Sequence, residues 1–309
     1  MKVLKVVMLW SVAMVMAAQP IEVSGPISGL VFDSRAAAIR PIIGLPGAAY
    51  VGDVLVGGLE WAAVAPGGRA ALALKEGTLY GLDGLERLEP VWRAVEGAAV
   101  RADWAAWSPE GSVAVIYSSV SGLAQVIRGL PGLPAASEPV AIGADISALA
   151  VDSQGRVVAA LADGLYLISP GAPPVLLAAA AGVRAVAVAE GSLWIAAAEG
   201  QIMEIRDYAA QAKVLALAEV RDPVGLAVSA DRKALLVASR AERAVEVYDL
   251  VSRTPAARLS LDSDPGALQS LAVRDLWLLR APAGDSEPLL VLKADPDPSV
   301  WFVPVGRGE

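Results

Sequence analysis

The sequence predicts an all-β chain folded as a seven-bladed β-propeller, with six blades plus a closing N-terminal hairpin as the alternative count. Three observations carry this expectation. Short runs of alternating apolar residues, bounded by Pro, Gly, Asp and Ser, recur along the chain after residue 26, as strands joined by tight turns require. The apolar residue before each polar turn falls at Phe32, Val64, Trp107, Val151, Val188, Val228 and Val273, at spacings of 32, 43, 44, 37, 40 and 45 residues, the length of a unit of several short strands. The residue before that anchor is Ala63, Ala106, Ala150, Ala187, Ala227 and Ala272, with Val31 the exception. Where blades converge on an axis, a side chain held between two close backbones must be small, and alanine meets that demand.

Residues 1–18, MKVLKVVMLWSVAMVMAA, place two lysines ahead of an apolar run from Val6 to Val15 and end on Ala17 and Ala18. This is the pattern of a secretory signal peptide, with an uncleaved N-terminal anchor as the alternative. Either reading puts the body of the protein outside the cytoplasm, periplasmic or extracellular. Residues 19–26 read as a short extended lead-in, 27–304 as the propeller and 305–309 as a C-terminal tail. Ile27 to Phe32 and Ala36 to Ile43 form a first hairpin, followed by a turn-rich stretch from Leu45 to Asp53. The short first spacing makes this a clipped blade or a hairpin that closes the ring against the C-terminus and so removes an exposed sheet edge.

The second and third units, WAAVAPGGRAALAL and WAAWSPEGSVAVIY, place Pro and Gly where a tight hairpin needs a preset φ and then a positive one. The fourth and fifth, from Ile146 and from Val183, repeat the same plan, with Gly164 and Gly200 at the turn between second and third strands. In the sixth unit Val224 to Val228, Ala234 to Ser239 and Ala244 to Tyr248 read as strands and Ser229 to Lys233 as a polar turn. The seventh, from Leu268 onward, contains four strand candidates of its own.

The segment Ser229 to Leu259 resembles the YVTN-type β-propeller repeat of bacterial exported proteins, in which a polar turn and a basic residue precede LYVAN, a variable loop and VSVID. The matching positions are Asp231, Lys233, Leu235 to Ala238, Val245, Val247 and Asp249, and Ser239 stands where the family carries Asn. The resemblance is good over this one repeat and faint over the others. It implies the fold and no activity.

Composition narrows the chemistry. The chain is 55% apolar and 19% charged, enough to fill a core, and carries a net charge of −8. Without Lys2 and Lys5 of the leader the balance is −10, and no Lys/Arg run offsets it, so nucleic acid is excluded as a partner. There is no Cys, no His and no Asn. Disulfides, thiolate metal sites, Ser-His-Asp relays and imidazole bases therefore cannot be built. No cofactor and no metal are expected. Asp262, Asp264, Asp295 and Asp297 have paired spacing but lack the remaining ligands of a calcium loop, and read as Asp/Pro turns.

Four residues before each anchor stand Ser28, Glu60, Asp103, Ser147, Arg184, Val224 and Gln269, six of them polar at the start of an otherwise apolar strand. If the strands line an axis, these six ring one mouth of its channel and form a candidate ligand site; the plain alternative is that they are solvated strand ends. Trp61 and Trp104 occupy a position that is small in other units and form a candidate aromatic platform, while Trp107 stands in for a core valine. Arg184 is the one cation of the ring. The expectation is a noncatalytic, monomeric exported propeller that binds a protein, peptide or glycan through one face, with no membrane span once the leader is removed. The alternatives are a hydrolase or lactonase-like enzyme using carboxylates at the channel mouth, and a structural subunit of an envelope assembly.

Overall fold

The computed structural model describes residues 25–305 apart from 46, 88, 144, 190, 281–287 and 295–297. The expected leader, the lead-in as far as residue 24, the tail beyond 305, and Asp295 and Asp297 lie outside the described residues. Within this span the chain forms seven small antiparallel sheets, each from one continuous stretch of sequence, set in a ring as a seven-bladed β-propeller.

Blade 6 shows the plan. Its strands are Pro223–Val228, Ala234–Ser239, Ala244–Asp249 and Thr254–Ser260, from the axis outward. The first turn is pinned by Ser229, whose hydroxyl accepts from Ala234 N at 2.9 Å and donates to Asp231 at 2.7 Å. Asp231 in turn accepts from Lys233 N at 3.0 Å, a short-range bond that holds the loop in a hairpin rather than a helix. Strands buried on both faces need apolar residues throughout, and Leu235, Leu236, Val237 and Ala238 are all fully buried.

Seven apolar clusters fill the seven spaces between neighbouring blades. One example joins Ala150, Val158 and Leu165 of blade 4 to Val183, Leu193 and Ile205 of blade 5. Each fully buried Val, Leu or Ile contributes about 1.5–3 kcal/mol, so these interfaces supply most of the drive to close the ring. Its last gap is filled by Val31, Ile42 and Val51 of blade 1 against Leu271, Leu278 and Val291 of blade 7.

Blade 1 departs from the expected register. Ile27–Asp33 pairs with Ala38–Ile43, and this pairs with the split strand Tyr50–Val51 and Val56–Gly57. In blades 2, 3, 5 and 6 the residue leaving the outer strand donates to the far end of the second-to-third-strand hairpin: Val95 to Leu79, Ile142 to Gly122, Val220 to Gly200, Leu261 to Arg243. Leu59 N makes the corresponding bond to Ala37 O at 2.8 Å, so the turn after Asp33 is a second-to-third-strand turn. Likewise, Glu96 leaving blade 2 bridges in parallel to Ala135 at the start of blade 3's outer strand, and Val305 leaving blade 7 bridges in parallel to Val51. Blade 1 is thus a second, third and outer strand, and the described residues supply it no inner strand. Phe32, expected to anchor an inner strand, belongs to a second strand, which alternates in the same way. Val273 is also misplaced by the sequence register: the inner strand of blade 7 is Gln269–Ser270, and Val273 sits exposed in the turn that follows.

Candidate binding face

The inner strands all run from one side of the ring, the start side, to the other, the turn side. On the turn side the inner hairpins of blades 3, 2, 7 and 6 meet in series. A Cβ on Gly111 would lie 2.9 Å from Pro66 O, and one on Gly68 would lie 2.6 Å from Ala272 Cβ. Ala230 N donates to Asp275 at 2.7 Å. These contacts narrow the axis from that side, whereas Glu60, Asp103, Ser147 and Arg184 are exposed on the start side. Gln269, expected beside them, pairs with Leu278 one residue from the turn, as Ala106 pairs with Val115, and the start-side place in blade 7 falls to Gly266, whose N donates to Leu279 O as Asp103 N donates to Tyr117 O.

The six polar residues expected to ring the mouth do not gather into one constellation. Glu60 accepts from Gly77 N at 2.7 Å and from Arg101 Nη2 at 2.7 Å, tying blade 2 to blade 3. Asp103 accepts from the backbone and hydroxyl of Ser119 within its own blade. Ser147 donates to Val183 O at 2.6 Å, and Arg184 pairs with Asp222, so these two join blades 4 to 5 and 5 to 6. Arg184 therefore meets neither Glu60 nor Asp103. Ser28 lies on the turn side, buried, donating to Gly44 O while its own carbonyl accepts from Val273 N at 3.3 Å. Its displacement follows from blade 1 beginning at its second strand.

The two candidate platform tryptophans also separate. Alternation along Trp61–Val64 turns Trp61 into the interface of blades 2 and 3, half-buried against the core that also takes Trp107. Trp104 is 36% exposed and meets Tyr117 edge-on, ring centroids 6.3 Å apart and planes at 80°. Tyr117 is buried and donates its hydroxyl to Gly143 O at 2.8 Å. Burial pushes its phenol up, and the Asp103 and Asp145 carboxylates push it further. The start side of blades 3 and 4 thus presents an exposed indole packed on a tyrosine whose phenol feels the Asp103 and Asp145 carboxylates. Val120, 93% exposed, stands on the neighbouring turn.

Tyr117 and Asp145 were not singled out in the sequence. Tyr117 becomes visible only when the hairpin is paired from its turn, Trp107 with Ala114, which sets Trp104 opposite Tyr117. Asp145 lies in the connection between blades, where no periodicity marks it.

Elsewhere the titratable groups serve as clamps between blades. Asp152 in blade 4 accepts from Tyr208 Oη at 2.6 Å, Arg156 Nε at 2.5 Å and the backbone of Gln154 and Arg156. Burial alone would raise its pKa, but the Tyr208 and Arg156 bonds outweigh burial and hold it below the usual carboxylate range. The same network pushes the Tyr208 phenol up, burial first and the Asp152 bond second. Glu204 in blade 5 is buried and takes Arg206 at 2.9 Å and Arg253 of blade 6 at 2.6 Å, which more than offset its burial and lower its pKa. Among the described residues no three acidic side chains stand where they would hold a metal ion. Asp264 is ion-paired to Arg243 at 2.9 Å. A recess between blades 3 and 4, lined in part by Gln125, Ser137 and Gly155, offers about 20 Å³, room for a single water.

No family model matches the chain, and no curated protein matches it. Solved structures do. A functionally unknown protein from Desulfotomaculum acetoxidans is 15% identical with a TM-score of 0.63, covering 91% of this chain and 100% of that one. A putative 6-phosphogluconolactonase from Bacteroides fragilis is 12% identical with a TM-score of 0.60, covering 91% and 95%. A β-propeller domain from Myceliophteria thermophila is 11% identical with a TM-score of 0.50, covering 84% and 94%. At these identities the likeness establishes the seven-bladed fold and nothing finer.

Proposed function

We propose that this chain is a noncatalytic, exported binding propeller that takes a peptide segment of a protein partner on the start side of blades 3 and 4. The observation that carries this reading is Trp104. At that strand position Ala148, Ala185, Gly225 and, in the observed register of blade 7, Ala267 are small and Trp61 is turned into the core, whereas Trp104 presents its ring to solvent next to Asp103 in the chain and against Tyr117, whose phenol feels both Asp103 and Asp145. An exposed indole is a costly residue to keep on a soluble surface and an effective anchor in an interface. The two carboxylates felt by that phenol favour a segment with a Lys or Arg next to an apolar residue, since that cation gains from the acids and from the ring face. A lactonase-like reading has only the shared fold behind it, because Glu60 and Arg184 are engaged in ion pairs between blades.

The test is an array of peptides and glycans probed with residues 19–309 and with Trp104→Ala and Asp103→Asn/Asp145→Asn variants. Retention of Lys/Arg-containing peptides, lost about tenfold or more in either variant at unchanged melting temperature, supports the proposal; a tenfold change is 1.4 kcal/mol. Binding indifferent to both variants, or binding to glycans alone, overturns it.

A further inference from the structure

We propose that the outer edges of blades 4 and 5 form an interface between two copies of this chain, so that the expected monomer gives way to a two-fold dimer. The outer strands are Val175–Ala178 and Lys213–Glu219. Ile205 belongs to the core between these blades and Leu167 packs against it; Val214 stands opposite the first and Val175 opposite the second. Cross-strand partners share a face, so Val175 and Val214 are the two lips of the seam where it reaches the perimeter. They are 56% and 45% exposed, and Leu176 and Leu215 beside them are 50% and 37% exposed. Residues 171–176 and 209–216 are exposed throughout, and Lys213 is the one charge among them. No residue from Gly164 to Val183 is charged, in a chain that is 19% charged. A bare apolar belt of this kind on a soluble protein marks a contact surface.

The outer strand of blade 6 shows what a guarded edge looks like. Thr254–Ser260 is as long as Lys213–Glu219, but it carries Pro255, and its Arg258 is ion-paired to Glu242 and Glu246. The belt on blades 4 and 5 has no such guard, and its charge pattern selects its occupant. Its charges stand at the two ends of one strand, Lys213 and Glu219, both exposed. A matching surface must be equally bare of charge and carry one acid and one base at the same separation, and the belt itself meets that description. In a two-fold pairing with the strands antiparallel and centred on Ala216, Lys213 of each copy meets Glu219 of the other, with apolar side chains packed between them. The contact is side chain against side chain. A shift of register opposite Ile202 and Met203, and the bond from Arg253 Nη2 to Ala216 O at 3.2 Å, interrupt any continuous ladder across this edge. The bond between Tyr208 and Asp152 fixes the two blades against each other, so the lips are preformed.

Sedimentation equilibrium of the full chain tests this. It should show a monomer–dimer equilibrium with a dissociation constant in roughly the micromolar range, as a small apolar interface gives. Val175→Asp/Val214→Asp should weaken the dimer about tenfold or more. Lys213→Glu and Glu219→Lys each set like charges together at two places and should weaken it about fivefold, whereas Lys213→Glu/Glu219→Lys should restore the native constant to within about twofold. A chain still monomeric at about 100 μM overturns the proposal, as does a monomer that floats with phosphatidylcholine vesicles, which would make lipid the occupant. A dimer indifferent to the two aspartates, or a double exchange no better than the single ones, overturns it too. If the aspartate variant does not fold, the charge exchange at two exposed side chains decides.

Discussion

The seam between blades 4 and 5 and the seam between blades 7 and 1 join neighbouring blades by different means. At the first, Asp152 reaches across to Tyr208 and is held by Arg156, so a buried carboxylate with directional bonds fixes the relative position of two blades. The second, where the two ends of the propeller meet, relies on apolar side chains such as Leu271, Val31 and Val303 and on backbone bonds such as Val51 N to Pro304 O at 3.0 Å. A buried charge demands that every partner be in place, because an orphaned one costs several kcal/mol. Apolar burial makes no such demand and tolerates small shifts. The clamp therefore sits where the connecting chain already limits the geometry, and the adaptable contact sits where the ring must close.

Removing the clamp should have the largest effect. Asp152→Ala leaves the Arg156 guanidinium and the Tyr208 hydroxyl without their acceptor inside an interface, and should cost about 3–5 kcal/mol in urea unfolding. Asp152→Asn, which keeps an acceptor oxygen, should cost less. Leu271→Ala at the closing seam should cost about 3 kcal/mol, the ordinary loss for a buried leucine, without a matching difference between conservative and radical replacements. Equal losses for Asp152→Ala and Asp152→Asn would erase the distinction between the seams.

Acid should separate them next. Asp152 and Glu204 have folded pKa values depressed by their partners, so their contribution is present above the unfolded value near 4 and is lost as pH falls through the folded value. The urea midpoint of the native chain should fall between pH 6 and pH 3 more steeply than that of Asp152→Asn/Glu204→Gln. Parallel curves would mean that neither carboxylate is differentially ionised on folding. At the alkaline end the sign reverses: Tyr248, pushed up to about 12 by burial and then by Glu246, favours the folded state while protonated, and that contribution is lost as pH rises from about 10 toward 12.

Much of this architecture was legible in the chain, and the reasons for the gaps are specific. The first three strands of blade 6 are legible to within one residue at each end because its polar turns interrupt clean alternation, whereas the outer strand Thr254–Ser260 is not marked in that way. Blade 1 was misassigned because alternation reports that a strand is buried on both faces, not whether it is first or second from the axis; Phe32 and Val64 look alike by that criterion. Trp104 stood out as a large residue at a small position. Its partner Tyr117 did not, because strand register had to be known first. The clamps were invisible because Asp152 and Tyr208 are 56 residues apart and belong to different repeats.

The smallest effect is expected at Glu60, where the sequence suggests function, and at its partner Arg101. Their pair is short, at 2.7 Å, but Arg101 is 76% exposed, so water and salt screen it and two flexible side chains lose entropy in forming it. Arg101→Ala should change stability by no more than about 1 kcal/mol, with the shift shrinking further in 0.5 M salt. Glu60 also accepts from Gly77 N, so Glu60→Gln, which keeps that acceptor, is the matching replacement. If both variants melt with the native chain, the start side of blades 2 and 3 is energetically independent of the ring beneath it. Binding measured in those variants then reports on recognition alone. A loss of several kcal/mol in Arg101→Ala would instead make the exposed pair a third kind of seam, as demanding as the buried clamp at Asp152.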